Sequence, residues 1–395
     1  MYHRCMRTVA VVTTSRADYS HLYWVLRELD ASEQIQLRLI VAGAHLSPAF
    51  GMTVRQIEAD GFRVEARVEC LLSSDTDVGM AKTIGTATLG LADVLGAMRP
   101  DLLLLIADRY EMLAPSAVAL ALRIPVAHIE GGEVSEGAID HAVRNALTAM
   151  SHVHLAPTTA AARRLVAMGE EEWRVHQVGA PSLDHLRRSE LPGGDEIERE
   201  LGVSLAEPPM VVATHPVTLA RNTTREADAL FEALAQVERA PLFCFPNSDA
   251  GSHELIERSE AFCASRSEAR LFVNLDPTLY WGLLRQAAIL VGNSSSGIME
   301  APSLALPVVN IGMRQQGRER AANIIDVEPN AAAIVAAIRR ALGSEFRESL
   351  DGMRNPYGDG DSAARIVRIL ESVPLGEELL LKRARSVAVP PLTSV

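Results

Sequence analysis

The chain has 395 residues, 48% of them hydrophobic, enough for two cores of about 180 residues each. Its formal net charge is -12, and its lysines and arginines are scattered singly or in short pairs. No basic stripe is available to follow a nucleic-acid backbone. Four cysteines, Cys5, Cys70, Cys244 and Cys263, lack paired or metal-ligand spacing and read as free thiols of a cytoplasmic protein. No apolar run approaches a membrane span, and Met1 to Arg7 lack the apolar core of a secretion signal.

Apolar, strand-like runs alternate with amphipathic or Ala-rich helical runs, as expected of parallel sheets built from βαβ units. In the first half the strands read Val9 to Thr14, Gln36 to Ala42, Leu102 to Ala107, Val126 to Ile129, Val153 to Ala156 and Val175 to Val178. In the second they read Met210 to Thr214, Leu242 to Phe245, Leu271 to Asn274, Ile289 to Gly292, Val308 to Ile311 and Ile324 to Val327. Turn-rich segments at 191–195 and 207–209 put the domain boundary near 180–208. The division expected is 1–185, 186–370, and a C-terminal helix and loose tail over 371–395. This is an α/β chain of two doubly wound domains facing a cleft, with ligands at the carboxyl ends of the strands.

The unusual polar residues nearly all follow a strand. Thr13 to Ser20 follow the first; Ser15 and Asp18 read either as a helix cap or, with Arg16, as part of an anion site. Asp108, Arg109 and Glu111 follow the run Leu102 to Ala107, as an ion pair or as functional groups. Glu130 and Glu133 flank two glycines after the next strand, and Asp140 opens a helix as an N-terminal acid or a site residue. Acids crowded at one cleft raise at least one carboxyl pKa, so that an acid and a base can coexist near neutral pH.

In the second half His215 stands in a rigid loop beside Pro216, and Asn247 lies in the polar loop after the next strand. The stretch Gly292 to Glu300 reads as strand, tight turn and helix start, a place for a phosphate, with Glu300 able to accept from a ribose diol. Arg314 follows the strand after it. No glycine-rich dinucleotide fingerprint, Walker-type loop or His/Cys metal spacing is present, so neither a cofactor nor a metal is expected.

Taken as a set, SRADYS at 15–20, DRYE at 108–111, HIEGGE at 128–133, FPNSDAG at 245–251, GNSSSGIMEAPS at 292–303 and NIGMRQQGR at 310–318 carry a resemblance. From about residue 8 to about 370 the chain resembles the hydrolysing UDP-N-acetylglucosamine 2-epimerases, both the bacterial sialic-acid type and the epimerase half of the bifunctional animal enzyme. The resemblance implies two Rossmann-like domains in a glycosyltransferase-B-like fold, with a UDP-sugar in the cleft. It implies Asn247, Ser294, Ser295, Glu300 and Arg314 as nucleotide contacts, and Arg16, Ser20, Arg109 and His215 near the diphosphate. The catalytic set it implies is Asp108, Glu130 and Asp140, with His215 beside the leaving group.

The implied chemistry is removal of the C2 proton as UDP leaves C1, giving a glycal, then hydration with inversion at C2. On UDP-N-acetylglucosamine this yields UDP and N-acetylmannosamine, the entry to sialic acid biosynthesis. A 2,4-diacetamido-2,4,6-trideoxyglucose donor is the close variant; a glycosyltransferase or a non-catalytic nucleotide-sugar-binding protein are the other classes. Two departures stand out: His141 where some relatives carry a second acid, and the segment 274–281, which differs from the animal enzyme. A homodimer or homotetramer is implied.

Overall fold

A computed structural model describes residues 6–72, 76–136, 139–216, 225–245, 252–273 and 275–383. The chain forms two compact units. One runs through Glu133, resumes over Ala142–Gly179 and takes up the chain again from Ser362; the other comprises Val134–His141 and Ala180–Asp361.

The first unit holds β1 (Arg7–Thr13), β2 (Ile35–Ala42), β3 (Val64–Val68), β4 (Leu102–Ile106), β5 (Val126–Ile129), β6 (Val153–Ala156) and β7 (Val175–Gln177). They form one parallel sheet in the order β3-β2-β1-β4-β5-β6-β7. Helices on both faces remove it from water, which is why β4 can read LLLLI without alternation. Leu102, Leu103, Leu104 and Leu105 are each 0% exposed. Burial of such a side chain is worth about 1.5–3 kcal/mol.

The second unit holds β8 (Met210–Ala213), β9 (Pro241–Phe245), β10 (Arg270–Val273), β11 (Ile289–Gly292), β12 (Val308–Ile311) and β13 (Ile324–Val327). Its parallel order is β10-β9-β8-β11-β12-β13. In each sheet the chain winds outward in both directions from a central pair, β1 with β4 and β8 with β11. The carboxyl ends of those pairs are the switch points where open α/β sheets bind ligands.

Three features depart from the reading of the sequence. Strand β3 was not anticipated, because VEARV places Glu65 and Arg67 among its apolar residues on a sheet edge. The units also interleave: 134–141 group with the second, and the helix Ser362–Ser372 groups with the first. There Arg7 Nη1 donates to the carbonyls of Leu370 at 2.8 Å and Val373 at 2.7 Å.

The third is the C-terminal segment, which is tied down as far as residue 383; the rest of the expected tail, 384–395, lies outside the described residues. Leu379 is 0% exposed, and the buried Arg174 guanidinium donates to the carbonyls of Leu379 at 2.7 Å and Leu381 at 2.8 Å. Lys382 Nζ reaches Glu170 Oε1 at 2.7 Å. Among the described residues no helix is long and apolar enough to cross a membrane.

Candidate active site

At the end of β1, Ser15 caps the helix Arg16–Ala31 and Asp18 completes a capping box. Asp18 Oδ2 accepts from the Thr14 N–H at 2.7 Å, Thr14 Oγ1 at 2.8 Å and the Ser15 N–H at 3.0 Å. Burial alone would raise this carboxyl, but the Arg109 charge and the bonds from Ser15 and Thr14 outweigh it and hold it below the usual range. The cap reading of Ser15 and Asp18 is therefore realised in full. Arg16 and Ser20, one turn apart on the same helix, are half-buried.

Asp18 also sets the environment of Arg109. The Arg109 guanidinium lies between two acids, with Nε 3.8 Å from Asp18 Oδ1 and Nη2 2.8 Å from Glu111 Oε1. Glu111 is almost fully buried. An arginine so placed is rigid, and its charge is compensated before any ligand arrives.

The ends of β4 and β5 carry Asp108 and Glu130. Ala107 (φ +59°) and Glu130 (φ +64°) both adopt the left-handed conformation, which costs a non-glycine residue about 1–3 kcal/mol. Hydrogen bonds over-determine it. The Ala107 N–H donates to Ile129 O at 3.0 Å, the Glu130 N–H to Leu155 O at 3.0 Å, and His128 Nε2 to Ala107 O at 2.7 Å. Burial depresses the His128 pKa to about 4, so the ring stays neutral with its single N–H committed to that carbonyl.

Gly132 (φ +79°) closes the turn where a Cβ would meet Ala161 O at 2.4 Å. Each acid has a partner from a distant helix. Asp108 Oδ2 pairs with Arg144, whose side chain is 1% exposed, and Glu130 Oε1 lies 3.2 Å from His21 Nδ1. Asp140, half-buried, opens the helix Asp140–Met150 that carries Arg144 one turn later. Two carboxylates on neighbouring strand ends with different partners, one a guanidinium and one an imidazole, are suited to opposite halves of a proton transfer.

In the second unit β11 ends at Gly292 with φ +137°, and a Cβ there would lie 2.0 Å from Ala213 O at the end of β8. Only glycine allows that approach. Asn293, 2% exposed, then bridges the switch point: its Oδ1 accepts the His215 N–H at 2.7 Å and its Nδ2 donates to His215 O at 2.9 Å. The Asn293 carbonyl accepts from Arg314 Nη1 at 3.1 Å and Gln315 Nε2 at 2.8 Å. Loops after β8, β11 and β12 are thereby joined at one residue.

Ser294, half-buried like Ser295, enters a hydroxyl chain: Ser294 Oγ is 3.0 Å from Ser296 Oγ, which is 2.7 Å from Tyr280 OH. The helix that follows is shorter than the sequence suggests. It spans only Ser296–Met299 and gives way to a 3-10 turn at Ala301–Leu304, where Pro302 lacks the N–H to continue it. Glu300 is buried at that junction, with Oε1 accepting from Ser182. Asn247 lies outside the described residues. Among those residues, no group of three or more His, Cys, Asp or Glu is placed to hold a metal ion.

Reading from the sequence missed His21, Arg144, Ser182, Asn293 and Gln315. Of these, only Asn293 and Gln315 lie inside polar runs that follow strands. The other three act from helices or loops far along the chain.

Comparison with known proteins identifies the family. The family model described as UDP-N-acetylglucosamine 2-epimerase matches residues 27–371. A Legionella pneumophila protein named UDP-N,N'-diacetylbacillosamine 2-epimerase (hydrolyzing) is 36% identical over 95% of this chain and 99% of its own. A Neisseria meningitidis UDP-N-acetylglucosamine 2-epimerase is 30% identical over 93% of this chain and 95% of its own. In fold, the chain is similar to the solved Neisseria meningitidis UDP-GlcNAc 2-epimerase bound to UDP-GlcNAc: TM-score 0.78, 18% identity, 92% of this chain and 99% of that one. Two parallel Rossmann-like sheets and an almost full-length match lead to one conclusion: this chain belongs to the hydrolysing UDP-sugar 2-epimerase family.

Proposed function

We propose that the chain hydrolyses a UDP-2-acetamido sugar with inversion at C2, and that its donor is UDP-2,4-diacetamido-2,4,6-trideoxyglucose. The observation that carries the reaction is the pair of acids Asp108 and Glu130 on left-handed turns, partnered by Arg144 and His21. One carboxylate takes the C2 proton while the C1–O bond breaks and UDP departs with its electron pair, leaving a C1–C2 double bond. A carboxylic acid then delivers a proton to C2 on the opposite face, and water adds its oxygen to C1, keeping one hydrogen as the new hydroxyl and releasing the other to solvent as a proton.

Asp140 completes the acidic set, and His215, Arg16, Ser20 and Arg109 stabilise the charge that grows on the diphosphate. Ser294, Ser295, Glu300, Arg314 and Asn247 hold the nucleotide. The donor is supported by the Legionella pneumophila relative and by a Campylobacter jejuni GDP/UDP-N,N'-diacetylbacillosamine 2-epimerase (hydrolyzing), 33% identical over 87% of this chain. A second reading takes UDP-N-acetylglucosamine to N-acetylmannosamine, supported by the Neisseria meningitidis relative.

Release of UDP from each nucleotide sugar, supplied separately, discriminates the two. The proposal expects kcat/KM for the diacetamido donor to exceed that for UDP-N-acetylglucosamine at least about tenfold, the scale of one pocket contact. The reverse ratio selects the second reading. UDP release from neither donor overturns the reaction.

A further inference from the structure

We propose that His21 is the proton-exchange partner of Glu130, the group through which this buried carboxyl returns to its starting protonation state between turnovers; this rests on the reaction proposed above. Inversion at C2 uses two groups on opposite faces of the sugar. After one turnover the base carries a proton and the acid has lost one, so each must exchange with solvent before the next. Glu130 is badly placed to do so directly. Its side chain is 6% exposed, and it sits on a left-handed residue whose N–H is fixed to Leu155 O at 3.0 Å.

His21 is well placed to do it instead. Its Nδ1 lies 3.2 Å from Glu130 Oε1, and its ring is 28% exposed. An imidazole binds a proton at one ring nitrogen and releases one from the other, with an unperturbed pKa near neutrality. If Glu130 is the base, its proton passes to Nδ1 and the imidazolium loses one to water. If it is the acid, the same steps run in reverse. Either way the carboxyl is reset and the ring ends neutral.

The neighbouring histidines lack this combination. His128 is 0% exposed with its N–H on Ala107 O, and His45 is 0% exposed with Nε2 2.9 Å from Thr13 Oγ1 and Nδ1 2.7 Å from Thr53 Oγ1. The helix Arg16–Ala31 fixes His21 in place, because Ser15 and Asp18 cap its first turn and Leu22, Val25, Leu26 and Leu29 are buried along it.

The test is steady-state turnover of the full chain on whichever of the two nucleotide sugars the wild type hydrolyses. The variants are His21→Gln, which keeps a hydrogen-bonding side chain, and His21→Ala, with imidazole added up to high millimolar levels. His21→Gln is expected to lower kcat by about 10²-fold with KM nearly unchanged. Imidazole is expected to restore His21→Ala in proportion to its concentration.

Wild-type kcat in His21→Gln would overturn the assignment, and so would a loss confined to KM or a deficit in folded His21→Ala that imidazole leaves untouched. A parallel Tm measurement on both variants separates loss of fold from loss of exchange. If neither folds, His21→Asn provides the same comparison, and its wild-type kcat would overturn the assignment equally. Absence of UDP release by the wild type itself refutes the reaction rather than the role of His21.

Discussion

The side-chain amide of Asn293 grips the backbone of His215 on both sides, Oδ1 accepting its N–H at 2.7 Å and Nδ2 donating to its carbonyl at 2.9 Å. An N–H can only donate and a carbonyl can only accept, so the amide orientation is fixed by its partners. One side chain thus sets the loop after β8 relative to the turn after β11.

Asn293→Ala removes both bonds and strands two backbone groups. It is expected to cost roughly 3 kcal/mol in urea denaturation and to weaken UDP binding at least about tenfold by calorimetry. Unchanged UDP affinity would mean that the grip has no bearing on a nucleotide site.

Arg144 and Asp108 form the second relationship with a measurable consequence. Arg144 is 1% exposed and Asp108 19%, so Arg144→Met leaves the carboxylate without its fixed counter-charge. We expect a loss of about 3 kcal/mol in stability and of about 10²-fold in kcat. In Asp108→Asn the kcat penalty of Arg144→Met is expected to vanish, and a double-mutant cycle on kcat reads the coupling.

Backbone geometry supplies a sharper contrast. Gly292→Ala would drive a Cβ to 2.0 Å from Ala213 O, whereas Gly51→Ala, also at positive φ, would meet nothing within 4 Å. The first is expected to yield insoluble or strongly destabilised protein, and the second to lose only about 1–2 kcal/mol. Expression and Tm of the two variants check this.

The buried histidines predict acid sensitivity. Burial depresses His128 and His45 from 6.5 to about 4. The unfolded chain therefore binds protons that the folded chain refuses. Their contribution, on the order of 3 kcal/mol each, is fully present above pH 6.5 and is lost as pH falls to about 4. Urea denaturation at pH 7 and pH 5 should show the loss. His128→Asn should reduce the slope by about one proton.

The sheets were legible where strands are buried on both faces, because Leu102–Ile106 or Ile289–Gly292 can be nothing but apolar. The edge strand β3, with Glu65 and Arg67, gave no such run. Polar groups after strand ends stood out because the apolar runs stop there, although a purely structural reading accounts for some of them, as the helix cap does for Ser15 and Asp18. The partners of Asp108 and Glu130 did not stand out: Arg144 is 36 residues from Asp108, and His21 is 109 from Glu130, separations that only the folded sheet closes. The stretch Gly292 to Glu300 was read as a phosphate turn on a helix start. Its helix proves to be one short turn, Ser296–Met299, and the more informative residue is Asn293, which braces its neighbours.

The most direct measurement is proton NMR of the sugar released from each nucleotide sugar in deuterium oxide. Elimination and hydration with inversion predict UDP and a free manno-configured 2-acetamido sugar carrying deuterium at C2. A released sugar that keeps its C2 proton, or its gluco configuration, would contradict proton transfer at C2.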